Sequence, residues 1–553
     1  MIDHSNEIPP LSLDERTRFA FLRQVKKASW IILFLCIAYQ LIFYPDITNV
    51  IGIVAVVFGW IVATRTWLKP NMLQTYLLSS FMLLGFASTQ FYFPLLFTTV
   101  EGKPLIHNLE LPEQVFLHAS LCLVVLVVAH SFYRFLMKAT PDRSVSVLGK
   151  LGFFNPPTSA QVWLMGLFGM ASSFYVYLAN PEVAQEATGD PSVKALQALG
   201  PFMYAPFFIP IARLYGSKEK PTRVYPIMIM AYAVLLFAIS MAQNSRGTFM
   251  FGLLTPAFAY ALGLILGVFK TRIFTFKNVI VAGLLVWALT GPFTDLGTAM
   301  LLVRDQRKDI NPGELITLTL EALDDEEAME ARRKDDSTDP IDFDWDERYL
   351  DNLFTARFAN IKFNDLSLNT YSKVGMYDPD MQEFSVDQVL ASLPSPVLEM
   401  FKLDVDKETL HALSYGDYLY VLSGGYGTPT GWRVGHMAGI GMATFGWWYL
   451  ALLGFLIIPV FYLVDKFFRP RRDEEAEESS VPEDKFKFSF CGVLALTAIF
   501  QFLLMESVVA FVPYLMRGWI QMVLLYFLMF HVSRLICQVF AKRKRRQLHF
   551  SPN

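Results

Sequence analysis

Long apolar runs with few charges are the feature that most restricts what this chain can fold into. A transmembrane helix requires about 20 mostly apolar residues, and the 553-residue sequence contains about twelve such runs. Lipid offers the backbone no hydrogen-bond partner, and the runs do not alternate as the strands of a β-barrel do, so each run is predicted to be a helix. The predicted spans are residues 28–44, 50–64, 71–94, 114–136, 160–179, 197–213, 224–242, 248–268, 278–296, 437–464, 488–505 and 518–537.

The composition supports this interpretation. Only 18% of the residues are charged and 54% are hydrophobic, whereas soluble domains usually contain about 25% charged residues. This composition excludes a disordered protein, a nucleic-acid-binding protein and a disulfide-rich secreted module. The sequence therefore predicts an all-α polytopic membrane protein. Its four cysteines lie in or beside the predicted spans without the spacing of a metal site, so neither a metal nor another cofactor is predicted.

The basic residues predict how the spans are oriented. If the N-terminal tail 1–27 is cytoplasmic, about 30 of the 47 Lys and Arg residues lie on the inner side, including those of the charged loop 465–487 and the basic tail 538–553. The short outer loops then contain only four basic residues, Lys103, Lys194, Arg246 and Arg517. Cytoplasmic loops carry an excess of Lys and Arg, so both termini are predicted to be cytoplasmic.

One hydrophilic segment, residues 297–436, separates spans 28–296 from spans 437–537 and is called the large loop below. It contains about 27 acidic and 13 basic residues, which gives it a charge of about −14. The large loop is predicted to form a helical domain on the outer, periplasmic side. Apolar side chains at helical spacing predict a helix over 349–363 with Arg357 on its apolar face, where the arginine either reaches the membrane surface or points into a site. Further helices are predicted at 385–392 and 396–412.

Arginines on the predicted outer side run against the charge bias and are candidates for binding an anion. The turn 243–247 (Gln-Asn-Ser-Arg-Gly) places Arg246 at the start of a span, where the free N–H groups of a helix favour a negative ligand. Residues 304–308 (Arg-Asp-Gln-Arg-Lys) contain Arg304 and Arg307, the densest positive patch of the acidic large loop, and are suited to an anionic lipid head group. Both patterns are also consistent with ordinary helix ends at the membrane surface.

A Gly-rich segment, residues 424–436, ends the large loop and contains Arg433 and His436. It does not match the nucleotide-binding P-loop. If it begins a helix, the two side chains face one side and supply a phosphate-binding cation and a proton carrier. The alternative interpretation is that both residues anchor a helix end at the membrane surface.

Ionisable side chains are sparse inside the predicted spans. They include His118, His130 and, at or near the end of a span, Glu506 and Asp295. A transporter driven by protons or sodium usually pairs such groups near the middle of the membrane, and the sequence shows neither a convincing relay nor a repeat of its two halves. This pattern disfavours a transporter.

The architecture and two local segments together resemble a known family. A polytopic inner-membrane protein of about twelve spans with one dominant outer loop resembles the bacterial O-antigen polymerase (Wzy-type) and O-antigen ligase group. The turn 244–247 (Asn-Ser-Arg-Gly), which leads into Phe-Met-Phe at 249–251, is similar to the Ser-Arg-Gly segment of that group. Residues 426–447 look like the Gly-rich segment that precedes a late span in those enzymes.

The resemblance implies a GT-C-like fold in the bacterial inner membrane and a metal-independent glycosyltransferase. The implied reaction polymerises oligosaccharide repeat units carried on undecaprenyl pyrophosphate into O-antigen, capsule or exopolysaccharide on the periplasmic face. Two alternatives remain open: ligase-like transfer of a polysaccharide to a final acceptor, and a non-enzymatic polysaccharide flippase or exporter. The implied partners are the lipid-linked donor and acceptor glycans, membrane lipids, a chain-length regulator and a flippase.

The reaction that the resemblance implies assigns roles to the residues above. Departure of the pyrophosphate requires positive charge where negative charge accumulates. His436 is the first candidate for the base that activates the acceptor hydroxyl, and Asp417 or Asp295 is the reserve. Arg246, Arg433, His436 and Asp417 are therefore the predicted catalytic residues. The arginines predicted to bind pyrophosphate are Arg246, Arg304, Arg307, Arg357 and Arg433.

Overall fold

The computed structural model describes most of the chain and is helical almost throughout. It describes residues 19–138, 146–176, 191–243, 245–269, 280, 283–284, 291–303, 310–334, 345–425, 433–470 and 486–549. Eight helices within these ranges are long and apolar enough to cross a membrane. The chain is therefore an all-α, multi-pass membrane protein. The eight helices are Ala20–Phe43, Ile47–Thr66, Leu77–Val100, Pro112–Met137, Lys194–Tyr215, Tyr225–Ala242, Trp448–Asp465 and Val508–Ala541.

Eight of the predicted spans overlap these helices, and four do not. Spans 160–179 and 248–268 coincide with the helices Ser159–Phe174 and Arg246–Ile265. Most of span 278–296 lies outside the described residues, so the predicted number of twelve spans stays a prediction. Short helices link the longer ones at Pro70–Thr75, Val147–Lys150, Pro292–Leu302 and Met437–Phe445.

The prediction of one continuous helix over 488–505 is wrong. The segment consists of short helices, Phe490–Leu494 and Leu496–Phe500, and a 3-10 turn, Phe502–Leu504, after which Met505 and Ser507 are extended. Irregular backbone at membrane depth is tolerated where protein surrounds it, and Phe490, Leu496 and Leu503 are all buried. Hydropathy predicts that such a run avoids water, but it cannot separate a lipid-facing helix from a buried, broken one.

The span Leu77–Val100 occupies the centre of the molecule. Its apolar window is 83% buried inside the protein, against 22% for Ala20–Phe43, so the first faces protein and the second mainly lipid. Two α-helical parts, Leu77–Ala87 and Phe93–Val100, are joined by a π-helical turn, Ser88–Tyr92. Turns of this kind widen a helix locally and occur often at functional sites. The polar side chains of Thr89 and Gln90 are buried in this turn.

Two other predicted elements differ from the structure for local reasons. Span 437–464 is divided into Met437–Phe445 and Trp448–Asp465, because Gly446 between them has a φ of +53° that favours glycine. The predicted helix 349–363 is only the short helix Leu353–Ala356, and the next helix begins at Ile361. Between the two, the Asn360 N–H donates to the Thr89 carbonyl at 3.2 Å, so the backbone there bonds to the central span.

The described part of the large loop is helical, as predicted, and packs against the spans. Predicted helices 385–392 and 396–412 correspond to Pro379–Ala391 and to two shorter helices, Ser395–Met400 and Lys407–Ala412. A small antiparallel pair of strands, Phe468–Pro470 and Phe486–Phe488, holds the ends of the charged loop 465–487 together. The described helices of the large loop are Pro312–Asp324, Glu326–Lys334, Leu353–Ala356, Ile361–Val374, Pro379–Ala391, Ser395–Met400, Lys407–Ala412 and Tyr415–Leu422.

Candidate functional site

The start of helix Tyr415–Leu422 holds two of the predicted site residues, Asp417 and Arg433. Ser414 accepts a hydrogen bond from the Asp417 N–H at 2.9 Å, and the Asp417 carboxylate accepts one from the Ser414 N–H at 3.3 Å. This reciprocal capping satisfies backbone groups that the first turn of a helix leaves without partners. It also fixes the Asp417 side chain, which has no exposed surface.

Arg433 is fixed against the same helix start. Its Nη1 and its backbone N–H both donate to Asp417 Oδ1, each at 3.1 Å. The guanidinium lies over the ring of Tyr420, 4.1 Å from the centroid, and only 5% of Arg433 is exposed. Ser414 Oγ donates to the Arg433 carbonyl at 2.7 Å. Arg433 and Asp417 therefore form a buried ion pair whose charges offset each other.

Residues 433–436 are not helical, so Arg433 and His436 do not share one face as predicted. His436 caps the next helix: its Nδ1 accepts the Ala438 N–H at 3.2 Å, and its Nε2 lies 3.2 Å from the Gln90 side-chain amide. Because Nδ1 accepts, a neutral ring carries its proton on Nε2. Burial, and secondly the charge of His118, lowers the pKa of His436 to about 3. These contacts favour a positioning role for the neutral ring over its predicted role as a base.

Glu506, which has no predicted role, lies against the same helix start. Its Oε2 accepts the Gly416 N–H at 3.1 Å, and the backbone N–H groups of Tyr415 and Gly435 also stabilise the carboxylate. Burial raises the pKa of Glu506 to about 7, although these backbone groups lower it; the charge of Asp417 raises it further. One feature of the sequence could have identified Glu506: it is a carboxylate at the end of an apolar run, and no basic residue lies near it in sequence.

Aromatic and acidic side chains surround the ion pair. Trp345 packs edge-on against Tyr420, with 5.9 Å between ring centroids, and donates from Nε1 to Glu347 at 3.1 Å. Glu347 accepts in turn from the Val434 N–H at 3.4 Å. Carboxylates bind hydroxyl groups and aromatic rings pack against apolar C–H faces, and sugars present both kinds of surface. We refer below to Asp417, Arg433, His436 and Glu506 as the acid–base cluster.

The other predicted site residues lie elsewhere or outside the described part of the chain. Arg357 follows the short helix Leu353–Ala356 and is exposed. Asp295 lies half-buried in the first turn of helix Pro292–Leu302. Arg246 begins helix Arg246–Ile265, but its side chain is outside the described part, as are Arg304 and Arg307 altogether. Of the predicted set, the structure thus brings Asp417 and Arg433 into contact and adds Glu506 at the same helix start, while His436 follows three residues after Arg433 and bonds to Ala438.

Buried polar groups lie near both ends of the spans Pro112–Met137 and Trp448–Asp465. His118 Nδ1 lies 2.7 Å from the Tyr449 hydroxyl near one end of the pair Pro112–Met137 and Trp448–Asp465. Near the other end, Asp465 accepts from Ser79 Oγ at 2.7 Å, and Ser79 Oγ lies 3.1 Å from His130 Nε2. Along both spans the positions between these ends include buried apolar side chains: Leu123, Leu126, Leu453, Ile457 and Val460. Along the described residues of these two spans, apolar packing thus separates the two polar clusters.

Among the described residues, no group of three or more His, Cys, Asp or Glu side chains is placed to hold a metal ion. Comparison with known proteins identifies no relative: no family model, no curated protein and no solved structure matches this chain.

Proposed function

We propose that this chain is a membrane-embedded glycosyltransferase that polymerises oligosaccharide repeat units carried on undecaprenyl pyrophosphate. The observation that carries the proposal is the acid–base cluster, in which Asp417, Arg433 and Glu506 meet between the large loop and a broken segment of the membrane domain. An enzyme that joins a lipid-linked donor to a lipid-linked acceptor needs its ionisable groups at such a junction. The lipid tails can then stay among the spans while the glycans are held by the large loop.

The residues of the cluster suit the acceptor side of this reaction. A glycosyl transfer requires a group that removes the proton of the acceptor hydroxyl, and the cluster supplies carboxylates close to a fixed cation. Tyr420 and Trp345 supply aromatic surface, and Glu347 supplies a further hydrogen-bond acceptor. These are the contacts that a sugar next to the acceptor hydroxyl would use.

The donor side requires positive charge at the leaving pyrophosphate. Arginine suits this role because its planar group forms paired hydrogen bonds to phosphate oxygens. We assign it to Arg246, Arg304, Arg307 and Arg357, and we give Arg433 the task of fixing the cluster, since Asp417 already accepts from its guanidinium. The fold we propose is GT-C-like, the location is the bacterial inner membrane, and the cluster faces the periplasm.

Reconstitution of the purified protein tests the proposal. The protein is placed in lipid nanodiscs with a synthetic undecaprenyl-pyrophosphate-linked repeat unit, and products are separated on a gel after mild acid release. We expect a ladder of glycans that differ by one repeat unit. Arg246→Ala is expected to shorten or abolish the ladder while the variant keeps the wild-type elution volume and melting temperature.

Other outcomes identify the alternatives. Unchanged repeat units in nanodiscs, with movement of the repeat unit across the bilayer of sealed vesicles, would indicate a flippase and contradict the proposal. Transfer of a preformed polymer to a second acceptor, without any ladder, would indicate a ligase and also contradict it. A full ladder made by Arg246→Ala would overturn the role of that arginine.

A further inference from the structure

Glu506 lies where three segments of the chain meet. It lies at a bend between the extended residues Met505 and Ser507, and it accepts a hydrogen bond from the Gly416 N–H at the start of helix Tyr415–Leu422. The third segment is 433–436: a Cβ atom added at Gly435 would lie 3.3 Å from Glu506 Oε2 and 3.1 Å from the Gly416 nitrogen. These segments are distant in sequence, so the position of the carboxylate is a product of the fold.

The other members of the acid–base cluster are poorly placed to accept a proton from a substrate. Asp417 has no exposed surface, and one of its oxygens accepts from Arg433. His436 is 2% exposed, and both its ring nitrogens have polar neighbours within the protein. Among the acidic and imidazole residues of the cluster, Glu506 is half-buried, whereas Asp417 and His436 are buried.

We infer that Glu506 is the proton acceptor for the acceptor hydroxyl in the proposed glycosyl transfer. The oxygen of the acceptor hydroxyl forms a bond to the anomeric carbon of the donor sugar, and its proton moves to the Glu506 carboxylate. The bond from the anomeric carbon to the pyrophosphate oxygen breaks, and the lipid pyrophosphate leaves with the bonding electrons. Glu506 then releases the proton to solvent. This inference rests on the proposed function and assigns its base.

The environment of Glu506 fits this task in two respects. Backbone N–H groups from helix Tyr415–Leu422 hold the carboxylate in one orientation, so no side-chain cation has to pair with it. Burial raises its pKa to about 7, and a base whose pKa lies near the working pH transfers protons most efficiently. The neighbouring charge that acts on it is that of Asp417, which raises its pKa. The phenol of Tyr415 is a further titratable neighbour, whose own pKa is raised by burial and secondly by the charge of Glu506.

Only the ionised carboxylate of Glu506 can accept a proton, and this determines how the reaction rate changes with pH. Protonation removes the acceptor, so the single-turnover rate is expected to fall as the pH drops through about 7 and to level off above it. A base at the ordinary pKa of glutamic acid, about 4.3, would leave the rate flat over this window.

The experiment uses the reconstituted full-length protein and compares wild type with Glu506→Gln and Glu506→Asp. Glutamine has nearly the same shape and can still accept the Gly416 N–H, but it cannot take up a proton. We expect Glu506→Gln to lower the single-turnover rate at pH 8 at least about 100-fold and to make the remaining rate independent of pH between 6 and 8. Glu506→Asp is expected to keep a pH-dependent rate.

Asp378→Asn is the matched control. Asp378 also accepts a backbone N–H at the start of a helix, that of Met381 at 2.9 Å, but it lies outside the cluster. This control should keep the wild-type rate and pH profile.

Three results distinguish a failure of the proposed function from a failure of the role assigned to Glu506. If wild type forms no polymer, the proposed function fails. If wild type polymerises and Glu506→Gln keeps more than a tenth of its rate with an unchanged pH profile, the role of Glu506 is overturned. If Glu506→Gln does not fold, the wild-type profile still decides, because a rate that is flat between pH 6 and 8 contradicts the inference.

Discussion

At the scale of residues, the Arg433–Asp417 pair decides how the candidate site is held. Removing two charges from water costs several kcal/mol for each, and a buried pair recovers this only with close geometry and further hydrogen bonds. The pair has both, since Asp417 also accepts from two backbone N–H groups and Arg433 lies over Tyr420. Its stability therefore depends on both partners being present.

Asp417→Asn is accordingly expected to destabilise the protein strongly. The variant removes the carboxylate charge that pairs with the buried Arg433 guanidinium, and breaking a buried ion pair in this way costs about 3–5 kcal/mol in free energy of unfolding. The double variant Asp417→Asn, Arg433→Gln removes both charges and should recover part of this loss. The measurement is the melting temperature in detergent.

The control for this pair is Asp351→Asn. Asp351 pairs with Lys103, but its side chain is 81% exposed, so the expected cost is below about 1 kcal/mol. An Asp417→Asn variant that melts at the same temperature as Asp351→Asn would contradict the structural role of the buried pair.

Residue patterns singled out candidate side chains but did not predict how these side chains meet. Arg433 and His436 stood out in the Gly-rich segment 424–436, and Asp417 was a reserve base for the reaction that the resemblance implies. Their grouping depends on contacts between distant segments: Glu506 bonds to Gly416, 90 residues away. The spacing of Arg433 and His436 predicted a shared helical face, but 433–436 is not helical: the Arg433 carbonyl accepts from Ser414, and His436 caps the next helix.

At the scale of elements, hydropathy predicted where the chain avoids water and missed where helices break. The break at Gly446 and the irregular segment 488–507 both lie in apolar runs. The positions of these breaks depend on packing within the protein, and the number of apolar residues in a run carries no information about that packing. The irregular segment carries Glu506, and the break at Gly446 ends helix Met437–Phe445, whose other end is capped by His436. The irregular elements thus position the candidate site.

The close packing of helix Met437–Phe445 against helix Ile361–Val374 can be tested by a substitution in their contact. Helix Met437–Phe445, which begins directly after His436, packs against Ile361–Val374, and a Cβ atom at Gly439 would lie 2.2 Å from the backbone of Ser367. Gly439→Ala must therefore separate the helices, at a cost of about 1–3 kcal/mol. We expect a lower melting temperature and slower glycan synthesis.

The matched control is Gly200→Ala, because a Cβ atom there meets only the end of the Met203 side chain at 3.8 Å. This variant should melt within a degree or two of wild type. If Gly439→Ala were as stable and active as Gly200→Ala, the close contact between the two helices would not be part of the working structure.

At the scale of the whole molecule, contacts between connecting segments agree with the predicted sorting of charge. On one side, Asn108 donates to Asp346 of the large loop at 2.9 Å. Other contacts join segments predicted to be cytoplasmic: Glu219 accepts from the Ser159 N–H at 2.6 Å, and Lys26 Nζ donates to the Thr64 carbonyl. Each contact joins segments that were predicted to share a side. Which side faces the cytoplasm stays a prediction based on the basic residues.

Cysteine labelling in intact cells tests that orientation. In a variant without the four native cysteines, Met400→Cys in the large loop, where Met400 is 69% exposed, should react with a membrane-impermeant maleimide added outside. Ser480→Cys in the charged loop 465–487 should react only after the inner membrane is permeabilised, because that loop is predicted to be cytoplasmic. Met400→Cys protected until permeabilisation would place the acid–base cluster on the cytoplasmic side. The basic residues would then no longer predict the orientation, and a periplasmic polymerase would be the wrong assignment for this protein.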